Sequence, residues 1–82
     1  MSIDFLDADV NKQMIRLGLR VLHYRKLKNF TQEELAERAG ISVAVISRIE
    51  NSASNTEVVT ILKIANALKV EPHKLFDFRE RE

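Results

Sequence analysis

Between Val10 and Phe30 the chain sets Lys12, Arg16, Arg20, Arg25, Lys26 and Lys28 in one run with no acid among them, a local charge of +6. Cations at that density draw in a polyanion, by steering at a distance and by ion pairs on contact. The more common meaning of such a run is a solvated helix face, and the net charge of the whole chain is only +1. Flanking segments offset the run, with −3 over residues 1–9, −2 over 31–50, +1 over 51–70 and −1 over 71–82. Charge leaves a nucleic-acid partner open without requiring one.

Catalytic chemistry finds less support. His23 and His73 lie far apart in sequence without acids at ligand spacing, so neither a metal site nor a general base is expected. Glu33, Glu34 and Glu37 read as a solvated helix face with capping roles. Two glycines cannot build a phosphate-cradling loop, and with no cysteine there is no disulfide or thiolate site. The expectation is a protein that is not an enzyme and carries no cofactor. The start, "MSIDFLDAD", holds three aspartates and no cation, unlike a signal peptide, and no apolar run approaches a membrane span. A cytoplasmic location and no membrane partner are expected.

Eighty-two residues make one domain, 45% apolar and 30% charged, a globular balance. A chain of this size buries only about 60% of its unfolded surface, so a partner subunit would help it.

The elements follow from period and punctuation. Val10, Met14, Leu17, Val21 and Tyr24 recur at helical spacing and predict a first helix over Val10 to Lys28. Asn29 tolerates the left-handed conformation that ends it. Thr31 and Glu34 form a capping box at the start of "TQEELAERA", the second helix. Gly40 closes that helix and Ser42 caps a third over Val43 to Glu50. After the polar loop "NSASNT", Val58, Ile61, Leu62, Ala65 and Leu68 predict a fourth helix, and Pro72 opens a short fifth holding Leu75 and Phe76. Nothing alternates with period two over a strand's length, so the fold class is all-α.

Helices two and three, joined by a tight glycine turn, have the form of a helix-turn-helix. Ala36 stands where the helices cross, Gly40 stands at the turn where positive φ costs glycine little, and Ile46 and Ile49 return to the core opposite Leu35. With these positions filled, the chain resembles the lambda-repressor-like (Cro/cI, XRE type) DNA-binding domains. The likeness runs ungapped from about Leu17 to Phe76, through "LGLRVLHYR", "FTQEELAERAGIS", "ISRIEN" and "ILKIANALKVEPHKLF". It implies a compact five-helix domain over residues 10–78 with the motif at 31–50, preceded by an acidic extension (1–9) and followed by a charged tail (79–82).

The resemblance also implies roles. Gln32 matches a glutamine that binds a phosphate and braces the reading helix. Arg25 and Glu50 match a buried ion pair joining helix one to the end of helix three. Ser42, Val43, Ala44, Ser47 and Arg48 fall on positions facing bases and nearby phosphates, with Asn51, Ser54 and Asn55 in the loop near the backbone. In "GISVAVISRIE" the apolar start is unusual for a reader, but thymine offers a methyl group to apolar side chains. Val43 and Ala44 would read methyls or be filler, Val45 would pack against helix two or the sugar edge, and Arg48 would be the one long polar reader, bidentate to a guanine or else bound to a phosphate.

Two departures from the family matter. Many members follow "IEN" with glycine and a cation, whereas "SASNT" is uncharged, leaving Arg20 and helix one to supply phosphate charge. Leu19, Leu22, Leu27 and Val59 are apolar on positions usually polar, which marks an interaction surface or a face covered by Ile3, Phe5 and Leu6 of the extension. Helix five, with Val70, Leu75, Phe76 and Phe78, is the expected homodimer interface. The expected function is a transcriptional regulator, a repressor, binding double-stranded DNA as a homodimer. Two alternatives share the fold: an antitoxin that also binds a toxin through Leu19, Leu22, Val59 or the termini, and a restriction-modification controller.

Overall fold

The computed structural model describes residues 9–52 and 55–79, and contains α1 (Val10–Leu27), α2 (Gln32–Ala39), α3 (Val43–Glu50), α4 (Val58–Leu68) and α5 (Pro72–Leu75). No strand occurs among the described residues. Of the expected features, the extension before Asp9, Ser54 and the tail beyond Arg79 lie outside the described residues. No described helix is long and apolar enough to cross a membrane.

Helix starts are set by local side chains. Asp9 accepts from the Asn11 amide at 2.8 Å and opens α1. At α2 the Glu34 amide donates to Thr31 Oγ1 at 3.0 Å while the Thr31 amide donates to Glu34 Oε1 at 2.7 Å, which satisfies an orphan amide at each end of the box. Ser42 Oγ accepts from the Val45 amide at 3.3 Å and starts α3 only two residues after Gly40.

Three helix ends share one closure. Asn29, Gly40 and Lys69 adopt φ of 59°, 73° and 60°. The amide after each reaches back to Arg25, Ala36 and Ala65 respectively, the six-to-one bond of a Schellman motif. Glycine enters this conformation freely; asparagine and lysine pay a steric penalty that the recovered carbonyl bonds offset.

Val21, Leu35, Ile46, Ile64, Leu68 and Leu75 are sealed at the centre, with Ala36, Ala39, Ile49, Ile61 and Ala65 around them. α2 packs on both α3 and α4, and α1 lies across α3. Two sequence stripes need correction. In α1 the stripe begins later than its period suggests: Val10 is 64% exposed, at an open groove it shares with Phe76 and Phe78. In α4 the buried set is Ile61, Ile64, Ala65 and Leu68, while Val58 and Leu62 are exposed. Ile64 takes the i+3 place that closes the stripe, and Leu62 is turned a full 100° from Ile61.

Leu75 is a third correction. Expected on a dimer surface, it is completely buried, since the short α5 folds back and presses it into the core. Val70 is half-buried against the same core, Phe76 is 51% exposed and Phe78 half-buried.

Candidate nucleic-acid interface

The eight residues of α3 divide cleanly by angle. At 100° per residue, Val45, Ile46 and Ile49 fall on one side; Ile46 and Ile49 are buried and Val45 packs against the core. Val43, Ala44, Ser47 and Arg48 fall on the other. Val43 is 40% exposed, Ala44 and Arg48 are exposed, and Ser47 is half-buried. Asn51 continues this outer stripe and its Nδ2 donates to Ser47 Oγ at 3.4 Å. The first turn carries no acid, so nothing on it repels a phosphate.

Glu50, the last residue of α3, fixes how that stripe is held. Arg25 donates to both its oxygens, from Nε at 2.6 Å and Nη2 at 3.0 Å, and Gln32 Nε2 adds a third bond to Oε1 at 2.9 Å. Arg25 Nη1 also donates to the Phe30 carbonyl at 2.8 Å. One carboxylate therefore ties α1, α2 and α3 together. Both side chains of the ion pair are largely withdrawn from water, with 12% and 5% of their surface left. The hydrogen bonds to Glu50 hold the guanidinium above its ordinary pKa against the opposing pull of burial. Gln32 stands with its amide on Glu50 at the start of α2, and the second amide proton is left for another acceptor.

Gly18 completes the mount and was not singled out in the sequence. A Cβ built there would fall 2.3 Å from the Ile49 carbonyl oxygen, so α1 touches the backbone of α3 where only glycine fits. The signal that would have found it is a glycine in a helix interior, which costs roughly 1 kcal/mol against alanine unless packing demands it.

Arg20, the cation expected to supply phosphate charge from helix one, is engaged within α1. Its Nη2 donates to Tyr24 Oη at 3.1 Å and its Cζ lies 5.1 Å from the Tyr24 ring centroid, while Nε is buried without a hydrogen-bond partner. Tyr24 in turn borders a cleft formed by Lys69, Val70, Glu71 and Lys74 at the α4–α5 turn. The i, i+4 relation folds Arg20 over the ring, away from the side on which Arg25 reaches α3. Asn55 is exposed, and with Val45, Arg48, Thr56, Glu57 and Thr60 it lines a cleft of about 240 Å³. Thr56 and Glu57 were missed because the loop has no period to read, and Thr60 because it lies in α4 off the apolar stripe. The histidines are separate: His23 meets Tyr24 edge-on and His73 lies 3.5 Å from Glu71 at the surface.

Ser52 stands where many family members have glycine, and its φ of 58° explains that preference. Its hydroxyl donates to the Met14 carbonyl at 3.3 Å, a bond glycine cannot make. The loop is thus anchored to α1 from the position that strains it.

Against known proteins, residues 22–75 match the family model described as helix-turn-helix. The HTH-type transcriptional regulator SinR of Bacillus subtilis (strain 168) is 37% identical over 62 residues, covering 74% of this chain and 56% of SinR. Antitoxin HipB of Escherichia coli (strain K12) is 41% identical over 46 residues, covering 56% of this chain and 52% of HipB. The chain thus spans about half the length of these curated relatives. The crystal structure of the restriction-modification controller protein C.AhdI from Aeromonas hydrophila superimposes with a TM-score of 0.75 at 35% identity, covering 77% of this chain and 96% of that one.

Proposed function

The chain belongs to the lambda-repressor-like (Cro/cI, XRE type) helix-turn-helix family, and from that premise we propose that it is a sequence-specific, double-stranded-DNA-binding transcriptional regulator that inserts α3 into the major groove. The observation that carries this reading is the outer stripe of α3: Val43, Ala44 and Arg48 are open to solvent with the half-buried Ser47 among them, while Ile46 and Ile49 are sealed and Glu50 is bonded to two other helices. A reading helix needs both properties, free edges and a rigid mount. Arg48, with no partner within the described residues, is the donor for a guanine edge, and Gln32, Ser42, Asn51 and Asn55 supply neutral contacts to the backbone.

Val70, Phe76 and Phe78 are the remaining candidates for a homodimer interface, with Leu75 withdrawn into the core. The two rings lie 6.4 Å apart and, with Val10, Gln13, Met14 and Leu17, line an apolar groove of about 270 Å³. A twofold dimer would present two reading helices about 34 Å apart. Selecting bound fragments from a random DNA library tests the whole reading: an enriched palindrome with half-sites one helical turn apart is expected. Folded protein that enriches no sequence would end it.

A second reading, an antitoxin that binds operator and toxin, is favoured by the exposure of Leu19 and Val59, both more than half open to water, whereas Leu22 is half-buried. The likeness to HipB points the same way, as the likeness to C.AhdI points to a restriction-modification controller. The neighbouring gene separates them: a toxin-sized or kinase-like product, a restriction enzyme, or neither.

A further inference from the structure

We propose that Glu57 is the positioning residue for Arg48 on DNA: its carboxylate takes one edge of the guanidinium and aims the other at a guanine; this rests on the DNA-binding reading above. At 100° per residue Arg48 stands about 40° from Ala44 and about 60° from Val45, on the border between the free side of α3 and the side packed on the core. It lines the same cleft as Thr56, Glu57 and Thr60 at the start of α4, and of the described residues around that cleft only Arg48 and Glu57 carry charge. The stretch from Asn51 to Thr56 is uncharged.

The Glu57 side chain has no other task. It occupies the N-cap of α4, yet its carboxylate makes no capping bond, and the helix start is closed by the Thr60 and Ile61 amides, which donate to its carbonyl at 3.0 and 3.3 Å. Neither this carboxylate nor the Arg48 guanidinium has a bonding partner among the described residues. In water such a pair adds little, but a bound duplex changes that in two ways. It excludes water from the cleft, which strengthens the attraction, and it brings phosphates towards a carboxylate that would otherwise meet them unpaired.

A guanidinium has enough donors for both partners. Arg25 shows the side-on arrangement in this molecule, with Nε and Nη2 bonded to Glu50 and Nη1 left for the Phe30 carbonyl. Held in the same way by Glu57, Arg48 would keep one N–H on each Nη for the N7 and O6 acceptors of guanine. Fixing the plane of the guanidinium favours guanine, because adenine offers an acceptor and a donor along the same edge.

The test uses the full chain and synthetic duplexes of the selected operator, with affinity read by fluorescence anisotropy. Each guanine is exchanged in turn for adenine with its partner base; the one whose exchange weakens the parent protein but not Arg48→Ala is the guanine that Arg48 reads. At that position Glu57→Gln should lower the preference for guanine over adenine about two- to fivefold, the contribution of one exposed ion pair, and leave preferences elsewhere unchanged. Added to Arg48→Ala, the same substitution should change no preference. Each preference is a ratio measured on one protein, so a loss of folded fraction cancels. An unchanged preference in Glu57→Gln overturns the proposal, and so does a reduction that persists without Arg48, since Glu57 would then be reading a base itself. An operator with no Arg48-dependent guanine overturns it as well, there being nothing to aim at. Failure to select any operator sinks the DNA-binding reading, whereas an Arg48-dependent guanine indifferent to Glu57 sinks this inference alone.

Discussion

The two faces of α3 are built to opposite standards. The inner face is held several times over: Ile46 and Ile49 are buried, Gly18 lets α1 touch the helix backbone, and Glu50 takes three hydrogen bonds from two other helices. The outer face makes one weak contact within itself, between Asn51 and Ser47. Small domains are only marginally stable, so so much stabilisation concentrated behind one eight-residue helix implies that its position matters more than its own cohesion. Rigidity on one side leaves side chains on the other free without letting them wander.

That contrast can be broken by mutation. Replacing Glu50 with alanine strands the Arg25 guanidinium in a largely buried site, and should destabilise by about 3 to 5 kcal/mol. For a domain of this size a thermal melt should then fall by at least about 12 °C. An unchanged melt would mean that the network only accompanies the fold. Gly18→Ala should come next, at about 1 to 3 kcal/mol, because the new methyl must push α1 off the Ile49 carbonyl. Measured alongside, a Gly18→Ala protein as stable as the parent would show that the two helices part easily.

On the outer face the expected losses are in binding rather than stability. Arg48→Ala should lose about 1 to 3 kcal/mol of discrimination between operator and random DNA while its melting curve stays within about 0.5 kcal/mol of the parent. Gln32 lies in the mount, and Gln32→Ala removes one of the three bonds to Glu50, so besides a stability loss of about 1 to 3 kcal/mol it should weaken operator and random DNA alike; a selective loss there would exchange the two roles. The smallest effect is expected at Ser52→Gly. Relief of a left-handed serine, worth about 1 to 2 kcal/mol, is offset by loss of the bond to Met14 and by the added freedom of the unfolded chain. Denaturant unfolding should place the sum within about 1 kcal/mol of zero.

Much of the fold was legible because its instructions are local. The Thr31–Glu34 box, Asn29, Ser42 and Gly40 each act on amides and carbonyls a few residues away, so type and spacing suffice to read them. Lys69 ends α4 in the same geometry but carries no local signature, since lysine has no special ease in that conformation. Where side chains meet across helices, periodicity gave the stripe but not its ends, as Val10, Val58 and Leu62 show. The pairing of Arg25 with Glu50 was reached through family likeness, because no local rule joins residues so far apart in sequence.

The amino-acid sequence by itself determined that five helices form, the stop at Asn29, the starts capped by Thr31 and Ser42, the turn at Gly40, and the division of α3 into an apolar and a free side, because these depend on interactions within one or two turns. Only the tertiary structure decided that Arg20 lies on Tyr24, that Leu75 belongs to the core, that Gly18 is a contact point and that Arg48 shares a cleft with Thr56 and Glu57. Those outcomes depend on the angle and distance at which one helix crosses another, quantities that sum over the whole core and are written in no single segment.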